Sequence, residues 1–168
     1  METLKQRIDR IKSTIVKASE VAGTNPNHID IVAVTKTVST DKIQEVIDNG
    51  IVILGENRVQ EAQKKINVIN GDVNWHLIGH LQRNKVKSAV QNFSMIQSLD
   101  SLELAKAIDR NAKNVEKIMD VLVQINIGME DTKYGIEPRK VLEFVTEVAN
   151  LSNIRIKGLM TIPPHKEN

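Results

Sequence analysis

One pattern limits what this chain can fold into more than any other. A short apolar run, a polar turn and an amphipathic helix follow one another again and again. The apolar runs are 31–35, 51–54, 74–78, 94–97, 120–127 and 154–159. Their spacing is that of a βα unit, in which a helical crossover returns the chain to a parallel neighbour. The alternation therefore predicts one α/β domain over 1–168 with no internal boundary, preceded by a helix over 1–22.

The leading helix follows from Leu4, Ile8, Ile11, Ile15, Ala18 and Ala22, which form one apolar stripe and stop at Gly23. Inside the repeating units, Asp41/Gln44, Asn57/Gln60 and Asp100/Glu103 each fit a capping residue with a reciprocal partner three positions on. Gly50 is expected to close the helix of "DKIQEVIDNG", and Pro138 to open the helix that carries Val141, Leu142, Val145 and Val148. Two architectures accommodate six such units: an open doubly wound sheet, or part of a (β/α)8 barrel. Length favours the open sheet, because a barrel takes roughly 200–250 residues. Periodicity does not separate the two.

Composition narrows the function. There is no cysteine, which excludes disulfides and thiolate metal sites. Trp75, Phe93, Tyr134 and Phe144 are the only aromatics, and the net charge is +2. A nucleic-acid groove with stacking side chains has little to build on here. No run of about eighteen apolar residues is present for a membrane span. The start "METLKQRIDRIK" has no apolar signal core, so the expected location is the cytoplasm.

In either architecture ligands sit beyond the carboxyl ends of the parallel strands. The unusual polar residues collect at those ends. Lys36 follows the first strand; Gly55, Glu56 and Asn57 the second; Gly79 and His80 the third; Ser98 and Asp100 the fourth. Asn126 lies near the end of the fifth, and Met160 and Thr161 follow the sixth. "IVAVTK" is notable because a strand expected to be covered on both faces ends on an amine. That amine is either a solvated strand-end lysine or a nucleophile able to condense with an aldehyde, a reaction closed to serine, threonine and the carboxylates.

Other chemistries lack their parts. His76 and His80 are four apart, but on a strand that separation is about 13 Å, too far for one ion, so no metal site is expected. The phosphate-binding glycine loops and the serine nucleophile elbow are absent. The pairs Glu56/Glu61 and Glu130/Asp131 read as a capped helix start and a solvated loop.

The blocks "AVTK" (33–36), "GENRVQEAQ" (55–63), "WHLIGHLQRNK" (75–85), "SLDS" (98–101), "VQINIGMEDTKYG" (123–135) and "GLMTIPP" (158–164), in this order, resemble the pyridoxal-phosphate homeostasis proteins, the YggS/PROSC family. The resemblance implies a (β/α)8 barrel of the alanine racemase N-terminal type, with about six of the eight units present. It implies that Lys36 carries pyridoxal 5′-phosphate (PLP) as an internal aldimine. Asn57 matches a family position close to the cofactor, and Asn126 and Met160 would line the same mouth. His80 and Ser98 are further mouth candidates, although His80 could serve its turn instead. Lys133 and Gly135 match a family loop of structural or gating character. Trp75, Leu77 and Ile78 read as packing.

Family members continue past the position where this sequence ends, with two more strands and a serine/glycine-rich phosphate loop. Barrel logic puts the phosphate in the loops after strands seven and eight. The expectation is therefore weak PLP binding by these 168 residues alone. The function implied is PLP binding in vitamin B6 and amino-acid homeostasis without turnover, with PLP-dependent enzymes as exchange partners. No catalytic residue is expected, because racemases of this fold need a second base and the only tyrosine, Tyr134, is in a loop. Two alternatives stand beside it: a PLP-dependent racemase or decarboxylase of the same fold, and a cofactor-free interaction domain.

Overall fold

The computed structural model describes residues 2–128 and 133–163; the Glu130/Asp131 pair lies outside them. The first helix, α1, spans Leu4–Ala22. Thr3 caps it in a reciprocal box with Gln6, and Gly23 ends it in the left-handed conformation at φ 64°. Its apolar stripe is only partly covered: Ile8 is buried but Ile11 remains 47% exposed.

Six strands and five helices then alternate: β1 Val32–Val34, α2 Thr40–Asp48, β2 Ile53–Glu56, α3 Val59–Ile66, β3 Asn74–Leu77, α4 Val86–Asn92, β4 Met95–Leu99, α5 Leu102–Lys113, β5 Met119–Ile125, α6 Val141–Val148 and β6 Ile154–Thr161. Among the described residues all five strand pairings are parallel, and the order is β1-β2-β3-β4-β5-β6.

That order separates the two architectures. A doubly wound sheet reverses its strand order at a switch point and carries helices on both faces. Here the order never reverses, and right-handed crossovers then place every helix on the same face. The register agrees. Ala33, Leu54, Trp75, Leu77, Ile96, Val121 and Ile156 are linked pair by pair along one face, and they pack with helix residues such as Ile43, Ala62, Val90, Ile108 and Val148. The opposite face carries Val34, Gly55, His76, Met95, Asp120 and Arg155 in register. It is the concave side of a partial (β/α)8 barrel.

Several sequence expectations shift. The first strand is not covered on both faces: Val34 is 51% exposed, because it points to the concave side from a strand with one neighbour among the described residues. The second strand begins and ends two residues later than expected, which carries Gly55 and Glu56 into β2. Ser98 likewise belongs to β4, and Met160 and Thr161 to β6. The capping pairs are displaced too. The residues at the helix starts are Ser39, Arg58 and Ser101, none with a side-chain cap, and Asp41, Glu61 and Glu103 sit in the first turns. Acidic groups there favour the helix through its dipole rather than through a capping bond. Gly50 closes the α2 turn at φ 81°, and Pro138 opens a short 3-10 turn that leads into α6.

Candidate functional site

Lys36 sits two residues beyond β1, in the turn that leads to α2. Its side chain is exposed and makes no hydrogen bond or ion pair among the described residues. Its neighbours are held firmly. The Thr35 hydroxyl donates to Glu56 Oε1 at 2.7 Å, and Lys65 Nζ donates to the Thr35 carbonyl at 2.7 Å. On the other side, the Thr37 backbone N–H donates to Glu61 Oε1 at 2.7 Å. Thr37 takes the left-handed conformation at φ 61°, and its hydroxyl donates back to the Lys36 carbonyl at 2.6 Å.

The groups that meet Thr35 and Thr37 belong to one buried cluster. Lys65 Nζ lies 2.7 Å from Glu56 Oε1 and 2.8 Å from Glu61 Oε1. Glu56 is fully buried on the helix-covered face, because the end of β2 points it under α3. Burial works against the charge on Lys65, but the hydrogen bonds from both carboxylates outweigh it and raise its pKa. Glu61 is lowered, first by its bond with Lys65 and then by the Thr37 N–H. Sequence reading missed this cluster. Lys65 follows Lys64 in a stretch that reads as a solvated helix face, and only its position four residues after Glu61 hinted at a pair.

Asn57 follows β2 and is half-buried, and its side-chain amide makes no hydrogen bond among the described residues. Its backbone fixes the neighbouring loop. A Cβ on Gly79 would lie 2.4 Å from the Asn57 carbonyl oxygen, so only glycine fits there. The Gly79 carbonyl in turn accepts from the buried Ser98 hydroxyl at 2.7 Å. Ser98 thus supports the loop after β3 from beneath. His80 Nδ1 is 3.0 Å from Asp100 Oδ2, and its ring stacks on Tyr134 with centroids 3.7 Å apart and planes 10° from parallel. His76, by contrast, points to the concave face and meets Gln97 at 2.9 Å; burial lowers its pKa. The two histidines have separate partners.

At the far side of the sheet the chain after β5 folds back on itself. Asn126 N–H donates to the Ile136 carbonyl at 3.0 Å and Ile136 N–H to the Gln124 carbonyl at 2.7 Å. The Asn126 side chain donates to the Lys133 carbonyl at 3.2 Å. Gly135, at φ 127°, allows this approach: a Cβ there would lie 2.7 Å from Asn126 N. Met160 pairs with Gln124 in register and is half-buried on β6.

Asn57, His80 and Tyr134 share a cavity of about 740 Å³ between the loops after β2 and β3. Asn126 and Tyr134 share a smaller one of about 170 Å³. Tyr134 is the residue common to both. Lys36, Ser98 and Met160 line neither, although all three lie at the carboxyl ends of strands in the same sheet.

Comparison with known proteins places this arrangement. The sequence pattern of the alanine racemase N-terminal domain matches residues 6–168. A pyridoxal phosphate homeostasis protein of Aquifex aeolicus is 40% identical over 164 residues, covering 97% of this chain and 72% of that protein. The structure of PipY from Synechococcus elongatus PCC7942 with PLP bound superposes with a TM-score of 0.76 at 30% identity, over 91% of this chain and 72% of PipY. An alanine racemase of Clostridium difficile 630 shares the fold, with a TM-score of 0.67 at 20% identity, but only 39% of its length is covered.

Proposed function

The chain belongs to the family of pyridoxal phosphate homeostasis proteins, and on that premise we propose that it binds PLP through Lys36 and holds it without turning over a substrate. The observation that carries this reading is the state of Lys36. It is an exposed primary amine with no protein partner among the described residues, on a turn whose flanking residues are both tied down. An amine held ready at the carboxyl end of a parallel strand fits the aldehyde of PLP, which supplies a carbonyl for covalent attachment when bound.

The neighbouring groups fit the same role. Asn57 offers an amide with no protein partner among the described residues, and its position is fixed by contact with Gly79. Asn126 and Met160 border the mouth on the opposite side of the sheet. His80 and Ser98 act one step further out: Ser98 holds the Gly79 turn, and His80 is engaged by Asp100 and Tyr134. Tyr134 lies flat against His80, an arrangement suited to closing a loop rather than to moving a proton to and from a bound amino acid. That supports retention of the cofactor over racemisation.

The cytoplasm is the location this reading implies, and PLP-dependent enzymes are the expected recipients or donors of the cofactor. No helix among the described residues is long and apolar enough to cross a membrane. The deciding experiment is borohydride reduction of the chain with PLP followed by peptide mass mapping. The adduct is expected on residues 31–42 and is lost in Lys36→Ala. Labelling spread over many lysines, or unchanged by that substitution, would overturn the assignment.

A further inference from the structure

We propose that Glu61 and Lys65 are positioning residues for Lys36: from α3 they hold the backbone on both sides of it and so set the direction of its amine. The inference rests on Lys36 being the attachment lysine. It goes further by naming what orients that lysine.

The geometry is specific. Only one residue, Lys36 itself, lies between the tied carbonyl of Thr35 and the tied amide of Thr37. Lys65 Nζ takes the Thr35 carbonyl at 2.7 Å, Glu61 Oε1 takes the Thr37 N–H at 2.7 Å, and the two side chains are joined to each other at 2.8 Å. Glu56, buried on the neighbouring strand, anchors Lys65 at 2.7 Å and the Thr35 hydroxyl at 2.7 Å. A carboxylate needed only for the first turn of α3 would face solvent. Glu61 instead reaches across to another element, 24 residues away in sequence.

The turn itself needs the tether. Thr37 is β-branched and sits at φ 61°, a conformation such residues rarely adopt. A β-branched residue persists there when its surroundings over-determine it. The Glu61 bond to its N–H is the contact that α3 contributes. Release of that bond lets the residue return to the extended or right-handed region, and rotation there redirects Lys36. Glu56 and Lys65 are buried on the helix-covered face and do not line the loop cavity; Glu61 borders that cavity beside Asn57 while its Oε1 holds the Thr37 N–H, and comparing Gln with Asp at this position isolates that bond.

The test uses the full chain with Glu61→Ala, Glu61→Gln and Glu61→Asp. Gln keeps an oxygen for the Thr37 N–H, whereas Asp keeps the charge but shortens the reach. Two readouts are taken beside a urea melt: amide hydrogen exchange at Thr37 without PLP, and the rate of adduct formation with the induced circular dichroism of the bound cofactor's visible band. In Glu61→Ala, exchange is expected to rise and adduct formation to slow, each about tenfold, with loss of most of the induced dichroism; a tenfold change corresponds to one charge-assisted hydrogen bond. Glu61→Gln should recover most of both, and Glu61→Asp should not. Wild-type rates and dichroism in Glu61→Ala, or equal losses in Ala and Gln, overturn the positioning role. If the wild-type chain forms no adduct on Lys36, the attachment reading falls, and this one with it. If the wild type forms it and Glu61→Ala forms it equally well, only the positioning role falls.

Discussion

The two sides of this sheet build their ends by different means. On the β1–β3 side, the turn that carries Lys36 is held by side chains: a buried lysine between two carboxylates, reaching from a helix to a neighbouring strand end. On the β5–β6 side, backbone bonds among Gln124, Asn126 and Ile136 and the side-chain amides of Gln124 and Asn126 tie down the segment after β5, with Gly135 permitting the close approach. The first arrangement depends on charges that must stay paired, the second on the absence of one methyl group. Each should therefore fail under a different kind of substitution.

The largest effect should come from the charged side. Lys65→Met leaves Glu56 buried with its partner gone, a change expected to cost about 3–5 kcal/mol. Urea unfolding followed by far-ultraviolet circular dichroism measures it. A loss below about 1 kcal/mol would mean that the cluster opens to water and that the two sides do not differ in this way.

Gly135→Ala probes the backbone side. It puts a methyl group 2.7 Å from Asn126 N at a backbone angle that favours glycine. A cost of about 1–3 kcal/mol is expected. Thr37 exchange and adduct formation at Lys36 should be unchanged. Loss of Lys36 reactivity in this variant would show that the two sides are coupled.

The smallest effect is that of pH. The Glu61 pKa is lowered in the fold by Lys65 and the Thr37 N–H, so its contribution is present above the ordinary glutamate value and fades as the pH falls through the lower, folded one. His76 is lowered by burial, so its contribution is likewise present above the ordinary histidine value and lost as the pH falls through the folded one. Lys65 is raised, and its contribution persists up to the ordinary lysine value and is lost as the pH rises through the folded one. Between the ordinary histidine value and the folded value of Lys117, which burial lowers, melting temperature should be nearly flat. On acidification, Thr37 protection should fall with Glu61 while the Asn126–Ile136 bonds persist. Simultaneous loss of both would blur the distinction.

Much of this was legible in the sequence, for a physical reason. Helix and strand periods are local properties, so α1, its glycine stop and the six strands could be read from apolar spacing, and Lys36 from its place after the first of them. Asn57, Gly79 and Asn126 were legible as residues at strand ends, because ligand-facing loops follow parallel strands. The details that depend on side-chain parity were not. A boundary error of two residues at β2 was enough to hide that Glu56 is a strand residue facing α3, and without a buried carboxylate Lys65 has no reason to be read as buried.

The sequence by itself determined that the chain alternates strand and helix, and that an amine follows the first strand. Periodicity left the strand order open and only the family resemblance implied it; the tertiary structure shows it unreversed, with all the helices on one face, and alone decided the partners of each polar side chain. Strand order is set by which surfaces bury together, and a buried charge is defined by its partners. Both are contacts between residues distant in sequence. No local pattern records that Lys65 meets the carbonyl of Thr35, thirty residues away.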